Sequence, residues 1–427
     1  MPEPRPSPIA ALLAAYRRGE SDPARAALEA LARSNSNAGR NTYIAQDRDW
    51  TLAEARSQTQ HPGAPLFGIP VALKDCFDLQ GFPTSIGSKF YAARIASASA
   101  DSAVAARLRA SGSVITGKTH LHQLAYGITG ENRDYGDCLQ PRDPALLTGG
   151  SSSGSAAAVQ EGSALAAIGT DTGGSVRAPA ALCGLAGYRS SLGVGNWSGG
   201  YHLAESFDTI GWLFRDLRDA PLLAEALFDL PPERPAPEPL RIGVLTGAFR
   251  NECDAAVCEA LDGWRERLAR AATAVEDFPA PEFWFAAWDI YAPIQAKEAA
   301  RIHAGLYHHF QPDIAARLEW GASLPDEQIH ALREQHARYR AELAPVFRRF
   351  DCVLAPITPV SRLLAGADNS NARALILRHT TPASLGGLPA VVLPAPPCGV
   401  QLMGAHNDDR RLLRLAARLG ELLARDG

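Results

Sequence analysis

The hydrophobic pattern along the chain alternates between helix-like and strand-like segments. Residues 8–33 carry apolar positions at helical spacing, and a start signal at Asp22 predicts two amphipathic helices there. Residues 101–111 predict a capped helix, and the short apolar runs LFGIPVALKD and SVITGKT on either side of it predict buried strands. This strand–helix–strand order predicts an α/β fold with a largely parallel or mixed sheet.

The second half of the chain continues this alternation. Residues 231–239, PPERPAPEP, predict a proline-rich connection, and LRIGVL after it predicts a new strand. Residues 251–350 are mainly helical in pattern and rich in aromatic side chains. Residues 351–360 predict a further strand that ends in prolines, and residues 408–424 predict a terminal amphipathic helix.

Between these halves, residues 148–200 are crowded with glycine, serine and alanine. A low-complexity linker would have such a composition. However, residues 156–159 and 164–168 are apolar, and the glycines fall between these segments at turn positions. The stretch therefore predicts helices that pack closely against backbone.

Composition narrows the class of protein. The chain has 427 residues, 46% of them hydrophobic, which is enough to bury a large core without disulfides. Its 42 basic and 46 acidic residues leave a net charge of −4, so it lacks the basic excess of nucleic-acid-binding proteins. We therefore expect no nucleic-acid partner. No stretch approaches the ~20 apolar residues of a membrane span, and the apolar run near the N-terminus is too short for a secretory signal, so we expect no membrane partner either.

The cysteines indicate a reduced environment. Seven of them, an odd number, are scattered from Cys76 to Cys398 without a repeating spacing, which is typical of a cytoplasmic chain. Cys253 and Cys258 match no tight zinc pattern. We therefore expect no metal and no cofactor.

Lysine is rare in this chain. Of the 42 basic residues only four are lysines, and the other 42 − 4 = 38 are arginines. An arginine-biased genome explains most of this asymmetry, but arginine cannot release a proton near neutral pH, so each lysine is of interest. The four are Lys74, Lys89, Lys118 and Lys297.

Lys118 lies in GSVITGKT, residues 112–119, which has the spelling of a phosphate-binding loop. Such a loop needs a strand before its first glycine. Here the residues between the glycines, Val114 to Thr116, are themselves strand formers. We therefore interpret Lys118 as a residue at the end of a strand.

Three other segments concentrate residues with catalytic chemistry: GIPVALKD around Lys74, GGSSSGS around Ser151, and GTDTGGSVRAP around Ser175. Glycines let backbone N–H groups turn towards one point, as an oxyanion hole requires. A serine nucleophile needs a base, and no histidine lies in a triad-like motif. A buried lysine can be that base if its pKa falls from about 10.4 towards 7, and Lys74 lies within an apolar strand.

In order and spacing these segments resemble the amidase signature hydrolases, with 151 − 74 = 77 residues from lysine to first serine and 175 − 151 = 24 between the serines. The resemblance covers nearly the whole chain and is densest from 66 to 215. It implies that Ser175 is the acyl nucleophile, that Ser151 is a bridging serine held by a cis peptide, and that Lys74 is the base. It also implies a single α/β domain with a mixed central sheet between layers of helices. The implied oxyanion hole consists of the amides of Thr172, Gly173, Gly174 and Ser175.

Neighbouring residues have supporting roles in this interpretation. The small side chains of Ser152 and Ser153 suit the implied geometry. Ser151 has a second interpretation, as the N-cap of a helix that follows. Asp171 and Arg177 either bind substrate charge or form a structural pair that shapes the turn between them, and we prefer the second interpretation.

The substrate is less well defined. The segments ITGENRDYGDCLQP (128–141) and ESFDTIGWLFRD (205–216) look like those of plant indole-3-acetamide hydrolases, and the chain length is similar to that of short malonamidase-like enzymes. The aromatic side chains of residues 284–310, with Tyr201 and Trp197, either form an apolar substrate pocket or pack between helices.

The resemblance implies an amidase that hydrolyses the C–N bond of a small carboxamide and releases ammonia or an amine. Two alternatives are an amidotransferase subunit that supplies ammonia to a partner acting on charged tRNA, and a non-catalytic binding module. Assembly into a homo-oligomer is left open. We expect a single domain, 1–427. Within it we expect a catalytic core at 66–230, a proline-rich connection at 231–239, a variable helical lobe at 240–350 and a C-terminal part of the core at 351–427.

Overall fold

Eleven strands and sixteen α-helices make up the part of the chain that the computed structural model describes, which is residues 5–58, 63–233, 240–271 and 274–426. The strands are β1 (Tyr43–Ala45), β2 (Pro70–Lys74), β3 (Val114–Thr119), β4 (Ala166–Asp171), β5 (Ala186–Arg189), β6 (Thr209–Phe214), β7 (Arg241–Thr246), β8 (Ala274–Pro279), β9 (Cys352–Pro356), β10 (Ala390–Ala395) and β11 (Cys398–Gly404). The helices are α1 (Pro8–Arg17), α2 (Pro23–Ser36), α3 (Arg48–Ser57), α4 (Lys89–Ala92), α5 (Ala103–Ala110), α6 (Ser153–Glu161), α7 (Arg177–Leu182), α8 (Ala220–Leu227), α9 (Ala248–Asn251), α10 (Ala255–Arg270), α11 (Glu282–Phe285), α12 (Ala287–Ile302), α13 (Pro312–Ser323), α14 (Asp326–Arg349), α15 (Ser370–Gly386) and α16 (Asp409–Asp426).

All eleven strands belong to one mixed sheet, in the order β1-β3-β2-β4-β6-β5-β10-β11-β9-β7-β8. The strand β2 is parallel to both β3 and β4, and β7 is parallel to both β8 and β9. Other neighbours, including β4 with β6 and β10 with β11, are antiparallel. Helices such as α6, α10 and α16 pack against the strands. The prediction of a single α/β domain built on a mixed sheet is confirmed.

The N-terminal elements form where the sequence pattern places them. The two predicted helices are α1 and α2, and the carboxylate of Asp22 caps α2 by accepting a hydrogen bond from the N–H of Arg25 at 2.9 Å. The helix predicted at 101–111 is α5, capped by the hydroxyl of Ser102. The two apolar runs on either side are β2 and β3, and every residue of both strands is buried.

The Gly/Ser/Ala-rich stretch folds as a helix followed by a strand. Residues 156–159 lie in α6 as expected, but residues 164–168 lead into β4, so the expectation of helices throughout is wrong for that segment. Gly162 ends α6 with its backbone in the left-handed region. The short apolar run that follows forms β4, which is paired on both sides, with β2 and β6. The sequence of a short apolar run does not by itself distinguish a buried strand from a buried helix. Gly154 allows close packing of α6, because a Cβ there would lie 2.1 Å from the carbonyl oxygen of Thr42.

The region 240–350 contributes to the same sheet through β7 and β8, and its helices α12 and α14 pack against α15. Residues 234–239 of the predicted proline-rich connection lie outside the described residues. All seven cysteines are unpaired. Within the described ranges, no helix is long and apolar enough to cross a membrane.

Candidate active site

Lys74 is the last residue of β2, and its side chain is fully buried. Its Nζ lies 2.8 Å from Ser151 Oγ, 2.7 Å from Thr170 Oγ1 and 3.1 Å from Ser152 Oγ. An ammonium group has three N–H donors, and these three hydroxyl oxygens accept all of them. The neutral amine donates two hydrogen bonds and accepts one, so the same contacts allow proton exchange with a serine hydroxyl.

Burial lowers the pKa of Lys74 from 10.5 to about 8, because the charged form loses its hydration, while more distant negative charges such as Asp208 and Asp171 oppose this effect only in part. The neighbouring carboxylate of Asp75 pairs with Lys118 instead, at 2.7 Å. With a pKa near 8, about a tenth of Lys74 is neutral at pH 7. The amine is therefore available as a base under ordinary conditions.

Lys118 has a structural contact set. It lies inside β3 and is fully buried, so GSVITGKT forms a strand here and not a phosphate-binding loop. Besides its ion pair with Asp75, it donates hydrogen bonds to Thr84 Oγ1 at 2.7 Å and to the carbonyl oxygen of Pro83 at 3.1 Å. These contacts agree with the interpretation of Lys118 as a structural residue on a strand.

Three consecutive serines connect the Lys74 amine to the start of α6. The peptide bond between Gly150 and Ser151 is cis. Ser152 Oγ donates to the carbonyl oxygen of Thr170 at 3.2 Å, and Ser153 Oγ donates to that of Ser151 at 3.3 Å. The N-cap residue of α6 is Ser152, and no side chain caps this helix, so the alternative role of Ser151 as an N-cap is wrong. Its hydroxyl contacts the Lys74 amine instead.

Asp171 is the centre of the turn that precedes α7. Its carboxylate accepts hydrogen bonds from the N–H of Gly174 at 2.8 Å and from Nε and Nη2 of Arg177, both at 3.0 Å. Arg189 adds a further contact at 2.8 Å, and all three charged side chains are fully buried. Burial opposes ionisation, but the two guanidinium groups outweigh it, so the pKa of Asp171 lies well below its usual range. These contacts agree with the preferred interpretation of Asp171 and Arg177 as a structural pair.

Ser175 follows the two glycines of this turn and is nearly buried, with 4% of its surface exposed. Its carbonyl oxygen accepts a hydrogen bond from the N–H of Ser152 at 3.1 Å, which joins the turn to the serine segment. Gly174 has a φ of +121°, and a Cβ there would lie 2.8 Å from Thr380, so this position requires glycine.

The backbone N–H groups of the turn are not equivalent. The N–H of Gly174 donates to the carboxylate of Asp171 at 2.8 Å, which holds the turn together. The expected oxyanion hole at Thr172, Gly173, Gly174 and Ser175 stays a prediction. Among the described residues, no acceptor contacts the N–H groups of Gly173 and Ser175. The hydroxyl of Thr172 donates to Asp208 at 2.6 Å, which fixes the start of the turn.

A small cavity opens at Ser175. Its volume is ≈ 260 Å³, with the part that is open to solvent included. This volume is smaller than the roughly 300–1,000 Å³ of pockets that bind drug-sized ligands. The residues that line it are Ala125, Tyr126, Gly127, Ile128, Gly173, Ser175, Leu203, Tyr291, Gln295, Arg373 and Leu377. Only a small group therefore fits in the cavity beside Ser175.

The aromatic residues divide between this cavity and the core. Tyr291, in α12, lines the cavity, and its hydroxyl accepts a hydrogen bond from Gln295 at 2.6 Å. Trp284 packs within a buried cluster of the helical region, and Trp197 and Tyr201 pack against the main hydrophobic core. Most of the aromatic side chains considered for a substrate pocket therefore serve packing.

Sequence reasoning missed several residues of this site: Thr170, Arg189, Asp208, Thr380 and Arg373. A signal existed for Arg189, because a charged side chain within the short buried strand β5 requires a buried partner. For Arg373 and Thr380 the sequence carries no local signal, since α15 reaches the turn only through the fold. Among the described residues, no group of three or more histidine, cysteine or acidic side chains is arranged to hold a metal ion.

The chain is similar to known proteins over most of its length. The family model described as Amidase matches residues 24–413. A glutamyl-tRNA(Gln) amidotransferase subunit of Roseiflexus castenholzii is 30% identical, and the match covers 87% of this chain and 86% of that protein. The AtzE subunit of the 1-carboxybiuret hydrolase of Pseudomonas sp. strain ADP is 32% identical, over 82% of this chain and 83% of that protein.

The fold agrees with the same relationship. A crystal structure of an amidase superposes with a TM-score of 0.88 at 30% identity, over 98% of this chain and 99% of the other. The likeness to indole-3-acetamide hydrolases is not tested by these relatives and stays a prediction. The match over most of the chain shows that the protein belongs to the amidase family and is an enzyme that hydrolyses amide C–N bonds.

Proposed function

We propose that the enzyme hydrolyses a small carboxamide through an acyl-enzyme on Ser175, and releases ammonia or an amine. The observation that carries this proposal is the contact of the Lys74 amine with Ser151 Oγ at 2.8 Å, in a fully buried setting that favours the neutral amine. A neutral amine in that position is a base for a serine relay.

In the proposed acylation, Ser175 Oγ attacks the amide carbon while its proton passes to Ser151 Oγ, and the proton of Ser151 passes to Lys74 Nζ. The carbonyl oxygen becomes an oxyanion, which the N–H groups of Thr172, Gly173 and Ser175 would stabilise. When the C–N bond breaks, the proton returns through Ser151 to the leaving nitrogen. Water then attacks the acyl-enzyme by the same route and regenerates the Ser175 hydroxyl.

The direct test is the Ser175→Ala variant. We expect amide hydrolysis to fall by at least ~1,000-fold, because no other hydroxyl occupies this position. A fluorophosphonate probe should label the wild-type protein on the peptide that contains Ser175, and should not label the variant. The control is Ser163→Ala, a serine of the same glycine-rich stretch whose hydroxyl contacts Tyr43 and Glu161 instead. Retained activity in Ser175→Ala, or labelling at another residue, would rule the proposal out.

A second candidate is a role as one component of an amidotransferase, supported by the 30% identity to a glutamyl-tRNA(Gln) amidotransferase subunit. That function predicts glutamine hydrolysis that depends on a stable complex with another protein. If the purified chain alone hydrolyses simple amides with ordinary turnover, the stand-alone amidase is favoured.

We expect this enzyme to act in the cytoplasm. Its seven unpaired cysteines, five of them buried, are compatible with a reducing compartment. The assembly of identical chains stays a prediction, which size-exclusion chromatography with light scattering would test.

A further inference from the structure

One charged side chain in the Ser175 cavity has no hydrogen-bond or ion-pair partner among the residues that the structure describes. Arg373 is the fourth residue of α15 and lines the cavity together with Ser175. Its Nε is buried without a hydrogen-bond partner, and the side chain forms no ion pair within the part of the chain that the structure describes. Arg177 and Arg189, two other arginines near the site, both pair with Asp171. Arg373 is partly buried, and a guanidinium whose Nε is removed from water without a partner is costly and needs an explanation.

The charged groups near Arg373 include a second cation, Arg317, and a carboxylate, Asp313, that is already paired with that cation. Arg317 and Asp313 belong to the same helix, α13. The guanidinium of Arg317 lies 5.0 Å from the ring centroid of Tyr126, a residue of the cavity wall. Arg373 itself stands in the first turn of a helix, where the macrodipole disfavours a cation. Burial and the nearby Arg317 lower the pKa of Arg373 to about 10, whereas Asp313, Tyr126 and Tyr291 act only as weaker attractions.

His122 adds unsatisfied hydrogen-bonding capacity behind the same wall. Only 3% of its surface is exposed, and neither ring nitrogen has a partner. Its ring packs against Gly127, a residue of the cavity wall, so closely that a Cβ on that glycine would lie 2.2 Å away. The carboxylate of Asp313 attracts Arg373 but already pairs with Arg317, so among the described residues Arg373 has no ion-pair partner and has donors available to bind an anion.

We propose that Arg373 binds a carboxylate group of the substrate, so that the preferred substrates are small carboxamides that carry a carboxylate at their other end. This inference rests on the proposed function of the same site. A guanidinium binds a carboxylate with two parallel hydrogen bonds, which orients the ligand as well as attracting it. Because Ser175 and Arg373 line one small cavity, a short substrate places its amide at the serine while its carboxylate meets the arginine.

The test compares amides that differ only in charge. Succinamate and butyramide have the same length, with a carboxylate in one where the other has a methyl group, and malonamate and propionamide form a second pair. We expect the wild-type kcat/KM to be about 100-fold higher for the charged member of at least one pair, the effect of a hydrogen bond to a charged group. In Arg373→Met we expect this preference to disappear, with kcat/KM falling about 100-fold for the charged amide and less than about threefold for the neutral one.

The matched control is Arg378→Met, on the same helix. Arg378 is 45% exposed and pairs with Glu252 at 3.0 Å, outside the cavity. This variant should keep the wild-type preference for the charged amides. Thermal unfolding separates binding from a structural role: Arg373→Met should keep or raise the Tm, since it removes an unpaired charge. Equal losses for both members of a pair, or no wild-type preference for charge in either pair, would overturn the inference.

A binding experiment separates this inference from the proposed function. Calorimetric titration of Ser175→Ala with dicarboxylates from malonate to adipate needs no turnover. We expect one of them to bind, and its affinity to fall about 100-fold in the Ser175→Ala/Arg373→Met variant. If Ser175 is unlabelled and no amide is hydrolysed, but a dicarboxylate binds through Arg373, only the proposed function fails. If Ser175 is labelled and amides are hydrolysed, but no dicarboxylate binds, only the present inference fails.

Discussion

Two buried lysines on adjacent strands show how a partner decides what a buried charge does. Lys74 on β2 and Lys118 on β3 lie in neighbouring positions of the parallel pairing, and both side chains are fully buried. Lys118 meets the carboxylate of Asp75 at 2.7 Å, whereas Lys74 meets three hydroxyl groups and no carboxylate. Hydroxyl groups solvate an ammonium without a balancing charge, so Lys74 can lose its proton. Burial alone therefore does not show which lysine can act as a base. The two lysines differ in whether the contacting oxygen atoms belong to a carboxylate or to hydroxyl groups.

The largest expected effect is on activity, in Lys74→Met. Methionine fills a similar volume but cannot accept a proton, so we expect kcat/KM for amide hydrolysis to fall about 100- to 10,000-fold, the usual contribution of a general base. Steady-state ammonia release measures this loss. The Tm of the variant should equal or exceed that of the wild type, because a buried amine has been removed. Activity within about tenfold of the wild type would mean that Lys74 is not the base.

The next effect is on stability, in Lys118→Met. This change leaves the buried carboxylate of Asp75 without its cation, and removing one member of a buried pair costs about 3–5 kcal/mol. Urea denaturation should show this loss in the free energy of unfolding. Replacing Asp75 by Asn in the same chain should recover part of it, since the uncompensated charge is then absent. If the stability of Lys118→Met is unchanged, the two lysines do not differ in this way.

The smallest effect concerns the pH dependence of stability. The pKa of Lys74 is about 8 in the folded protein and 10.5 in the unfolded chain, so between these values the unfolded chain holds a proton that the folded protein lacks. Stability must then rise with pH across that window, and the cost of burying the charge is fully present below pH 8. The free energy of unfolding of the wild type minus that of Lys74→Met should increase by about 2–3 kcal/mol from pH 7 to pH 10. A difference that is flat with pH would show that Lys74 does not titrate in this range.

The strands that carry the site could be predicted because their evidence is local. Both β2 and β3 are short apolar runs bounded by turns, and the segments around Ser151 and Ser175 have characteristic spacing. The run at 164–168 differs, because a short apolar segment has no period of its own, and only its neighbours β2 and β6 make it a strand.

The finer arrangement of the site could not be predicted, because it depends on contacts between distant parts of the chain. Two glycines in a turn suggest several free amides, but Asp171 occupies the N–H of Gly174, and only the folded turn reveals this. The carbonyl oxygen of Gly173 accepts a hydrogen bond at 2.5 Å from Thr380, which is 207 positions away. Arg373 reaches the cavity through the same helix, and no local pattern marks either residue.

The strand order also constrains when the enzyme becomes complete during its synthesis. The strands β9, β10 and β11 lie between β5 and β7, so β7 and β8 join the rest of the sheet only after these later strands exist. The Gly173 contact with Thr380 likewise waits for α15. A nascent chain that already contains Lys74, Ser151 and Ser175 still lacks the elements that fix their geometry. Because such long-range pairing delays assembly, we expect catalytic competence to arise only after α15, β10 and β11 have been synthesised. A chain truncated before β10 would carry all three residues without an assembled site.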